Sequence, residues 1–154
     1  MQHDDQQGAQ RHSTWLIFLP ALALIVAIFL LSHQQKPPTI GNDPELSSIA
    51  GHLVAFGLLG GALYLAFRSI SGTRRIAALL AVALATGYGV VDEFHQSFVP
   101  GRHTDSWDLL TDLVGAAIVV ATLVLATRWL TANETIELST KPPRAADEPP
   151  INGE

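Results

Sequence analysis

Four long stretches of the chain contain no Lys, Arg, Asp or Glu, and they are residues 13–35, 46–67, 76–91 and 113–127. An α-helix needs about 20 mostly apolar residues to cross the hydrocarbon core of a bilayer. Charged residues make up only 15% of the 154 residues, which is low for a soluble domain. The chain is therefore predicted to be an all-α integral membrane bundle of four transmembrane helices.

Polar sequence at both ends separates two tails from the membrane domain. Residues 1–12 are polar, and residues 131–154 hold four of the nine prolines together with several charges, so both cytoplasmic tails are predicted to be disordered. The membrane domain is residues 13–130, with a first helix over 15–31. Arg11 before an apolar run is also typical of a signal peptide, but no small-residue cleavage site follows, which favours an uncleaved signal anchor.

The second helix is expected to begin at a cap formed by Ser47 or Ser48 and to end near Phe67. It carries Gly57 and Gly61 at the GxxxG spacing, which allows two membrane helices to approach closely. The spacing therefore predicts a close contact between this helix and a neighbour.

The third charge-free stretch is short for a span, but nothing breaks the helical pattern before Pro100. This helix is therefore predicted to continue through the acidic residues to about Phe98. The fourth helix is predicted to start at Ser106, capped by Thr104 or Asp105, and to run to the end of the membrane domain.

Lys and Arg are distributed unequally between the two sides of a four-span protein. One side carries both termini and the loop between the second and third helices. It holds seven basic residues: Arg11, Arg68, Arg74, Arg75, Arg128, Lys141 and Arg144. The other side has only Lys36 and Arg102. Because basic segments stay in the cytoplasm, both termini of this multi-pass protein are predicted to be cytoplasmic.

The densest run of ionisable residues, 92–108, joins the third and fourth helices on the outer side. Asp112 lies roughly 9 Å into the fourth helix, and Asp92 and Glu93 lie a comparable distance below Phe98. His52 lies about one turn into the second helix, so the three helices bring ionisable groups to a similar depth. Charged groups near lipid are costly and usually functional. Three helices are therefore expected to form a polar site near the outer membrane surface, to which the first helix contributes no ionisable group.

Helical periodicity, at about 100° per residue, separates polar from apolar faces in this region. On the third helix, Phe94 and Phe98 are expected to face lipid. The opposite, inward face of that helix is polar: Asp92, Glu93, His95 and Gln96. The inward stripe of the fourth helix is acidic at first and small or apolar below: Asp105, Asp108, Asp112, Gly115, Ala116 and Val119.

The helix dipole distinguishes the two acidic groups. Asp105 and Asp108 lie in the first turn of a helix, where negative charge is stabilised and simple capping is one interpretation. Asp92 and Glu93 lie in a last turn, where the dipole opposes them, so they need a nearby cation or a bound proton. Arg102 is the nearest cation in the sequence, because the Pro-Gly turn before it can reverse the chain. Coupling of Glu93 to Arg102 is therefore predicted, either as a structural ion pair or as part of a site.

Several kinds of chemistry lack their motifs in this sequence. There is no cysteine, so no disulfide, thiolate nucleophile or cysteine metal site can form. The sequence has no P-loop, dinucleotide fingerprint, GxSxG or HExxH motif. His95 and His103 could join acidic residues around a metal ion, but without a closely spaced pair no metal and no cofactor are predicted. The net charge of −5 comes partly from the tails and does not indicate a nucleic-acid partner.

Two sequence motifs contain most of these polar residues. The motif in the second helix reads His52, Phe56, Leu59 and Gly60. The motif of the acidic stretch and the fourth helix reads Asp92, Glu93, Gln96, Phe98, Pro100, Arg102, Asp108, Asp112 and Gly115. Over residues 36–130 the chain thereby resembles the VanZ-like family of small bacterial membrane proteins. It departs from the family pattern at Asp112, where Asn is usual, and this adds an ionisable group.

The resemblance implies an integral protein of the bacterial cytoplasmic membrane that acts in the cell envelope. The family's named member is associated with low-level resistance to the glycopeptide teicoplanin, so a role in antibiotic resistance is one expectation. One hypothesis is a non-enzymatic protein whose outer pocket binds a membrane lipid, a lipid-linked wall precursor or a glycopeptide. Its ligand-binding residues would be His52, Asp92, Glu93, Gln96, Arg102, Asp108 and Asp112.

Two other hypotheses use the same residues. In an intramembrane enzyme acting on a lipid-linked substrate, Glu93 would be the general base, His52 or His95 the acid, and Arg102 the anion stabiliser. In a purely structural protein, the polar residues would only pair the helices. A transporter is disfavoured, because the acidic groups collect at one leaflet and nothing polar lines the inner half of the bundle.

The predicted topology can be tested by cysteine labelling, since the native chain has no cysteine. With both termini in the cytoplasm, a membrane-impermeant thiol reagent should modify Gly41→Cys in intact cells and spare Ser71→Cys. Both variants should react once the membrane is permeabilised. The reverse pattern in intact cells would show that the bundle is inverted.

Overall fold

A computed structural model of the chain describes residues 15–35, 39, 43–102 and 104–140. Those residues form α-helices and no strand. In chain order the helices are α1 (Leu19–Ser32), α2 (Pro44–Ile70), α3 (Arg74–Gln96) and α4 (Ser106–Thr140). The predicted all-α fold is confirmed.

Three of the helices are long and apolar enough to cross a membrane, namely α2, α3 and the segment Ser106–Asn133 of α4. Helix α1 has 14 residues, which is short of the roughly 20 that a span needs. The membrane character is therefore confirmed for three helices, and a crossing by α1 stays a prediction.

Some predictions concern residues outside the described part of the chain. These are the disorder of residues 1–12, the tail from residue 141 onward, and the positions of Lys36, Gly41 and His103. Within the described part, the continuous helix α1 begins at Leu19, whereas Trp15 and Leu16 are helical and are separated from it by a turn at residues 17 and 18. Pro20 lies in the first turn of α1. Proline is favoured there, since it lacks the N–H that the first turn leaves unpaired.

Helix α2 begins earlier than predicted, and its cap is Asp43 instead of Ser47 or Ser48. The Asp43 Oδ1 accepts hydrogen bonds from the backbone N–H groups of Glu45 (3.0 Å) and Leu46 (3.1 Å). Asp at the N-cap followed by Pro44 at the first helical position is a stronger start signal than serine further along. The serine prediction was wrong because the stronger start signal, Asp43 followed by Pro44, lies before the two serines.

Helix α3 continues through the acidic residues to Gln96, which confirms the predicted extension to within two residues. The chain then turns, with the Phe98 N–H donating to the His95 carbonyl (3.1 Å) and the Val99 N–H donating to the Gln96 carbonyl (2.9 Å). Gly101 follows with a φ of 83°, a left-handed conformation that favours glycine. This turn reverses the chain towards α4.

Helix α4 begins at Ser106, as predicted, and Asp105 is its cap. The Asp105 Oδ1 accepts a hydrogen bond from the Trp107 N–H (3.0 Å), and the Asp105 carbonyl accepts one from the Asp108 N–H (2.9 Å). A capping carboxylate satisfies an N–H that the first turn of a helix leaves unpaired. The capping interpretation of Asp105 is therefore confirmed.

The other end of α4 lies beyond its predicted position. Residues 131–140, which were assigned to a disordered tail, are helical. They contain no Pro or Gly, and the next breaker is Pro142, which disfavours a helical conformation at Lys141. The chain divides into two compact units, Met1–Val124 and Leu125–Glu154, and the second contains this last part of α4.

The core of the first unit combines bulky residues of α2 with small residues of α3. Phe56, Leu59 and Tyr64 of α2 are almost completely buried. The same core contains three fully buried alanines of α3 at a four-residue spacing: Ala77, Ala81 and Ala85. Small side chains let one membrane helix approach another closely, and the resulting van der Waals contacts stabilise the pair.

The GxxxG residues of α2 pack against α4, as the spacing predicts. A Cβ atom built on Gly57 would lie 3.0 Å from a methyl group of Val119, and one built on Gly61 would also lie 3.0 Å from Val119. Both positions therefore leave little room for a side chain. The neighbour of this glycine pair is α4.

Two further small residues bring the backbones of α2 and α4 together. A Cβ atom on Gly60 would lie 2.9 Å from the Cβ of Ala116. A Cβ atom on Gly115 would collide with the carbonyl oxygen of Leu53. Contact with backbone cannot be relieved by a change of rotamer, so the two helices would have to separate.

This contact predicts different costs for two Gly→Ala substitutions. Gly115→Ala should lower the free energy of unfolding by about 1–3 kcal/mol, because the added methyl group overpacks the α2–α4 contact. Gly87→Ala is the matched control, since a Cβ atom there meets nothing within 4 Å. It should leave stability unchanged or raise it by up to about 1 kcal/mol through helix propensity. Thermal unfolding of both variants in detergent measures the difference, and equal stabilities would contradict the close contact.

Candidate functional site

The polar cluster lies at one end of the bundle, where α2 and α4 begin and α3 ends. In each of these helices the polar side chains lie on the inward face, within about two turns of the helix end that meets the polar cluster. The cluster consists of His52 from α2, Asp92, Glu93 and Gln96 from α3, and Asp108 and Asp112 from α4. The lipid-facing assignment of Phe94 and Phe98 agrees with their exposed fractions of 67% and 69%.

His52 is the centre of the polar cluster and contacts two carboxylates of α4. Its Nδ1 lies 2.8 Å from Oδ1 of Asp112, and its Nε2 lies 3.6 Å from Oδ2 of Asp108. The two aspartates are four residues apart, so they face α2 from successive turns. The His52 ring also stacks in parallel on Phe56, with 5.9 Å between the ring centroids.

Asp112 is completely buried, although it is an ionisable residue in a helix that is long and apolar enough to span a membrane. Its Oδ1 is bound to His52, whereas its Oδ2 is buried without a hydrogen-bond partner among the described residues. Gly89 of α3 makes room for the carboxylate, since a Cβ atom at that position would collide with Oδ2. Burial of a carboxylate is tolerated only when it is paired, so the contact with His52 is required for this arrangement.

Asp92 has only 2% of its surface exposed and is held from two sides. Its Oδ2 accepts hydrogen bonds from the Ser32 hydroxyl (2.9 Å) and from the Gln96 side-chain amide (2.8 Å). No charge distinguishes Ser32 in the sequence, because it is a neutral residue at the end of α1. Its position as the first polar residue after an apolar run is the signal that could have identified it.

A pair of histidines also joins α1 to α3. His33 Nδ1 lies 3.3 Å from His95 Nε2, and Phe29 packs against His95 with 4.4 Å between the ring centroids. His95 therefore contacts α1. Within the described residues it makes no hydrogen bond to Glu93, for which it was one of two candidate acid partners.

The structure does not form the predicted ion pair between Glu93 and Arg102. Oε2 of Glu93 accepts a hydrogen bond from the Asp105 N–H (3.1 Å), and Oε1 is buried with no partner among the described residues. Arg102 donates weakly to the Leu31 carbonyl (3.5 Å). The turn at Gly101 directs Arg102 towards the carboxyl end of α1, where the helix dipole favours a cation.

Arg102 nevertheless stays beside the polar cluster. It lies close enough to Asp108 to interact with its charge. Its Nε is buried and has no hydrogen-bond partner in the described part of the chain. Arg102 thus has a donor group that no other described residue accepts from.

Three members of the polar cluster bring donor atoms for a metal ion together. His52, Glu93 and Asp108 each offer one nitrogen or oxygen atom, and these three atoms lie within 4.8 Å of one another. They come from three different helices. No local sequence spacing could therefore have indicated this convergence, unlike the histidine pairs of HExxH motifs.

A groove of about 260 Å³ runs along the bundle beside the polar cluster. It lies between α1 and α3, and most of its lining is aromatic or aliphatic. Asp92 belongs to both the groove and the polar cluster, so an apolar surface adjoins a polar site. The lining residues are Phe29, Tyr88, Val91, Asp92, Phe94, His95 and Phe98.

Sequence comparison identifies the family of a protein with this arrangement. Neither a curated protein nor a solved structure matches the chain significantly. The model of the VanZ/LLP1 family matches residues 3–127, which is more than half of the chain. The match confirms the resemblance seen in the two motifs, and the protein therefore belongs to the VanZ/LLP1 family.

Proposed function

We propose that this protein binds a lipid-linked ligand of the bacterial cell envelope, with the polar head group in the polar cluster and the apolar chain in the adjoining groove. In this proposal the chain crosses the cytoplasmic membrane four times and keeps both termini in the cytoplasm. The distribution of seven basic residues against two supports that orientation. The polar cluster then opens at the outer leaflet.

The observation that carries the proposal is the shared position of Asp92. This residue lines the groove, and its carboxylate is hydrogen-bonded within the polar cluster. A ligand with a polar head and a hydrocarbon chain fits a site that changes from polar to apolar at one residue. A water-soluble glycopeptide would leave the aromatic groove unused, so a lipid-linked ligand is favoured.

The position of Arg102 supports the proposal that the head group is anionic, for example a phosphate. Arg102 is a cation close enough to Asp108 to interact with its charge, and its Nε lacks a hydrogen-bond partner among the described residues. A guanidinium binds phosphate oxygens through paired hydrogen bonds, which a lysine cannot reproduce. A phosphate bound there would also separate Arg102 from the carbonyl at the end of α1.

A second candidate function is catalysis on the same lipid-linked ligand. His52 and Asp112 form a dyad with a 2.8 Å contact, in which the buried carboxylate orients the imidazole. An imidazole oriented in this way can act as a general base. Here the base would be His52, with Glu93 beside it, which exchanges the roles expected from the sequence. A role in glycopeptide tolerance would follow from either function if the ligand is a wall precursor.

Binding of a short-chain polyprenyl phosphate to the full-length protein in detergent should depend on Arg102. Arg102→Gln should weaken binding about 10- to 100-fold, since a hydrogen bond to a charged group contributes about 1.5–3 kcal/mol. Arg75→Gln makes the same charge change at the opposite end of α3 and should bind like the wild type. The corresponding uncharged polyprenol should bind weakly to all three proteins.

Two results of this experiment would contradict the proposal. Equal weakening in Arg102→Gln and Arg75→Gln would indicate non-specific attraction of the phosphate to any positively charged side chain. Wild-type binding that does not distinguish the phosphate from the alcohol would show that the polar cluster does not hold the head group.

A double substitution tests whether Glu93 and Arg102 act as a structural pair. Because they form no ion pair in the structure, Glu93→Gln combined with Arg102→Gln should bind the polyprenyl phosphate no better than Arg102→Gln alone. A structural pair predicts the opposite, since removal of both charges would leave neither unpaired. Recovery of wild-type binding by the double variant would favour the structural hypothesis.

A further inference from the structure

We propose that His52, Glu93 and Asp108 bind a divalent transition-metal ion of the zinc class. One donor atom comes from each of α2, α3 and α4, and the three lie within 4.8 Å of one another. The sequence predicted no metal, because it has no closely spaced pair of histidines. The inference concerns the same polar cluster as the proposed function, but it does not require the lipid-linked ligand.

The contacts of His52 leave one ring nitrogen available as a metal ligand. A carboxylate only accepts hydrogen bonds, so Nδ1, 2.8 Å from Asp112, carries the hydrogen. In the neutral ring Nε2 then presents a lone pair, and it faces Oδ2 of Asp108 at 3.6 Å. Two acceptors that face each other need a positive charge between them. Their separation is close to the roughly 3.4 Å between two ligands of a tetrahedral zinc ion with bonds of about 2.1 Å.

Glu93 supplies the third ligand from α3. Its Oε2 is held by the Asp105 N–H, which fixes the orientation of the carboxylate. Its Oε1 is buried and has no hydrogen-bond partner among the described residues. Glu93 also lies close enough to Asp108 for the two carboxylates to repel each other. A cation between them would satisfy the buried oxygen and remove the repulsion.

Asp112 has the position of an orienting partner for a metal-binding histidine. Histidines that bind metals usually donate their second ring N–H to a carboxylate or carbonyl, which fixes the ring. Here the partner is completely buried, and stacking on Phe56 restrains the same ring further. The contact with Asp112 uses Nδ1 of His52 and none of the three donor atoms. It restrains the ring in the way that a metal-binding histidine is usually restrained.

The donor set indicates the class of metal. One imidazole with two carboxylates suits zinc and similar transition metals, whereas magnesium and calcium prefer oxygen ligands alone. Three protein ligands leave a fourth position for water or for an oxygen of the head group. In this arrangement the metal and Arg102 would contact the same anionic group from two sides.

The test is zinc binding to the full-length protein, prepared without a polyhistidine tag, treated with a chelator and titrated with Zn²⁺ alone in detergent. One ion per chain is expected, together with a higher thermal unfolding midpoint. His52→Asn, Glu93→Gln and Asp108→Asn should each abolish this binding. His33→Gln is the matched control and should bind like the wild type, although His33 pairs with His95.

A variant of the orienting partner, Asp112, keeps the test decisive if the three ligand variants do not fold. Asp112→Asn restores the residue usual in the family motif and can still accept the hydrogen bond from His52. It should bind Zn²⁺ about tenfold more weakly, as expected when a ligand's orienting partner loses its charge. Unchanged zinc affinity in Asp112→Asn would overturn the proposal.

Three other outcomes would also overturn it: no zinc binding by the wild type, undiminished binding by the three ligand variants, or loss of binding in His33→Gln. In the first case a proton on His52 Nε2 would account for its contact with Asp108. Because the titration contains no lipid, its failure leaves the proposed function to be judged by the polyprenyl phosphate experiment.

Discussion

The contact between His52 and Asp112 is the interaction on which the polar end of this bundle depends. It joins α2 to α4 and pairs a completely buried carboxyl group in a segment that can span a membrane. An unpaired carboxylate in that place would be strongly destabilising. Gly89 of α3 provides the space for it, so three helices meet around one carboxyl group.

Much of the fold could be predicted from the distribution of charge and small residues. The charge-free stretches indicated the helices, the absence of a breaker before Pro100 indicated the extent of α3, and the GxxxG pair indicated a close helix contact. These features follow from local physics, because lipid excludes charge and a bulky side chain prevents close approach. The errors at Asp43 and at residues 131–140 arose because a start signal precedes the two serines and because no helix breaker lies between residues 131 and 141.

The candidate site was less predictable, because its geometry depends on contacts between helices. Ser32 has no charge to identify it, and Arg102 follows the direction of the turn at Gly101 instead of pairing with Glu93. The convergence of His52, Glu93 and Asp108 requires the relative rotation of three helices. Periodicity indicates which face a residue occupies, but it does not give the distance between residues on separate helices.

The closest approach of α2 and α4 has a consequence for the precision of the polar end. Gly115 meets the Leu53 carbonyl less than one turn from Asp112, and Leu53 is the neighbour of His52. The spacing of the backbones there sets how far apart the two side chains can lie. A separation of the helices by 1 Å or so would lengthen the His52–Asp112 contact beyond hydrogen-bond range. The glycine contact thus sets the spacing of α2 and α4 at the polar end, so substitutions at this crossing are expected to disturb the His52–Asp112 contact more than substitutions at lipid-facing positions.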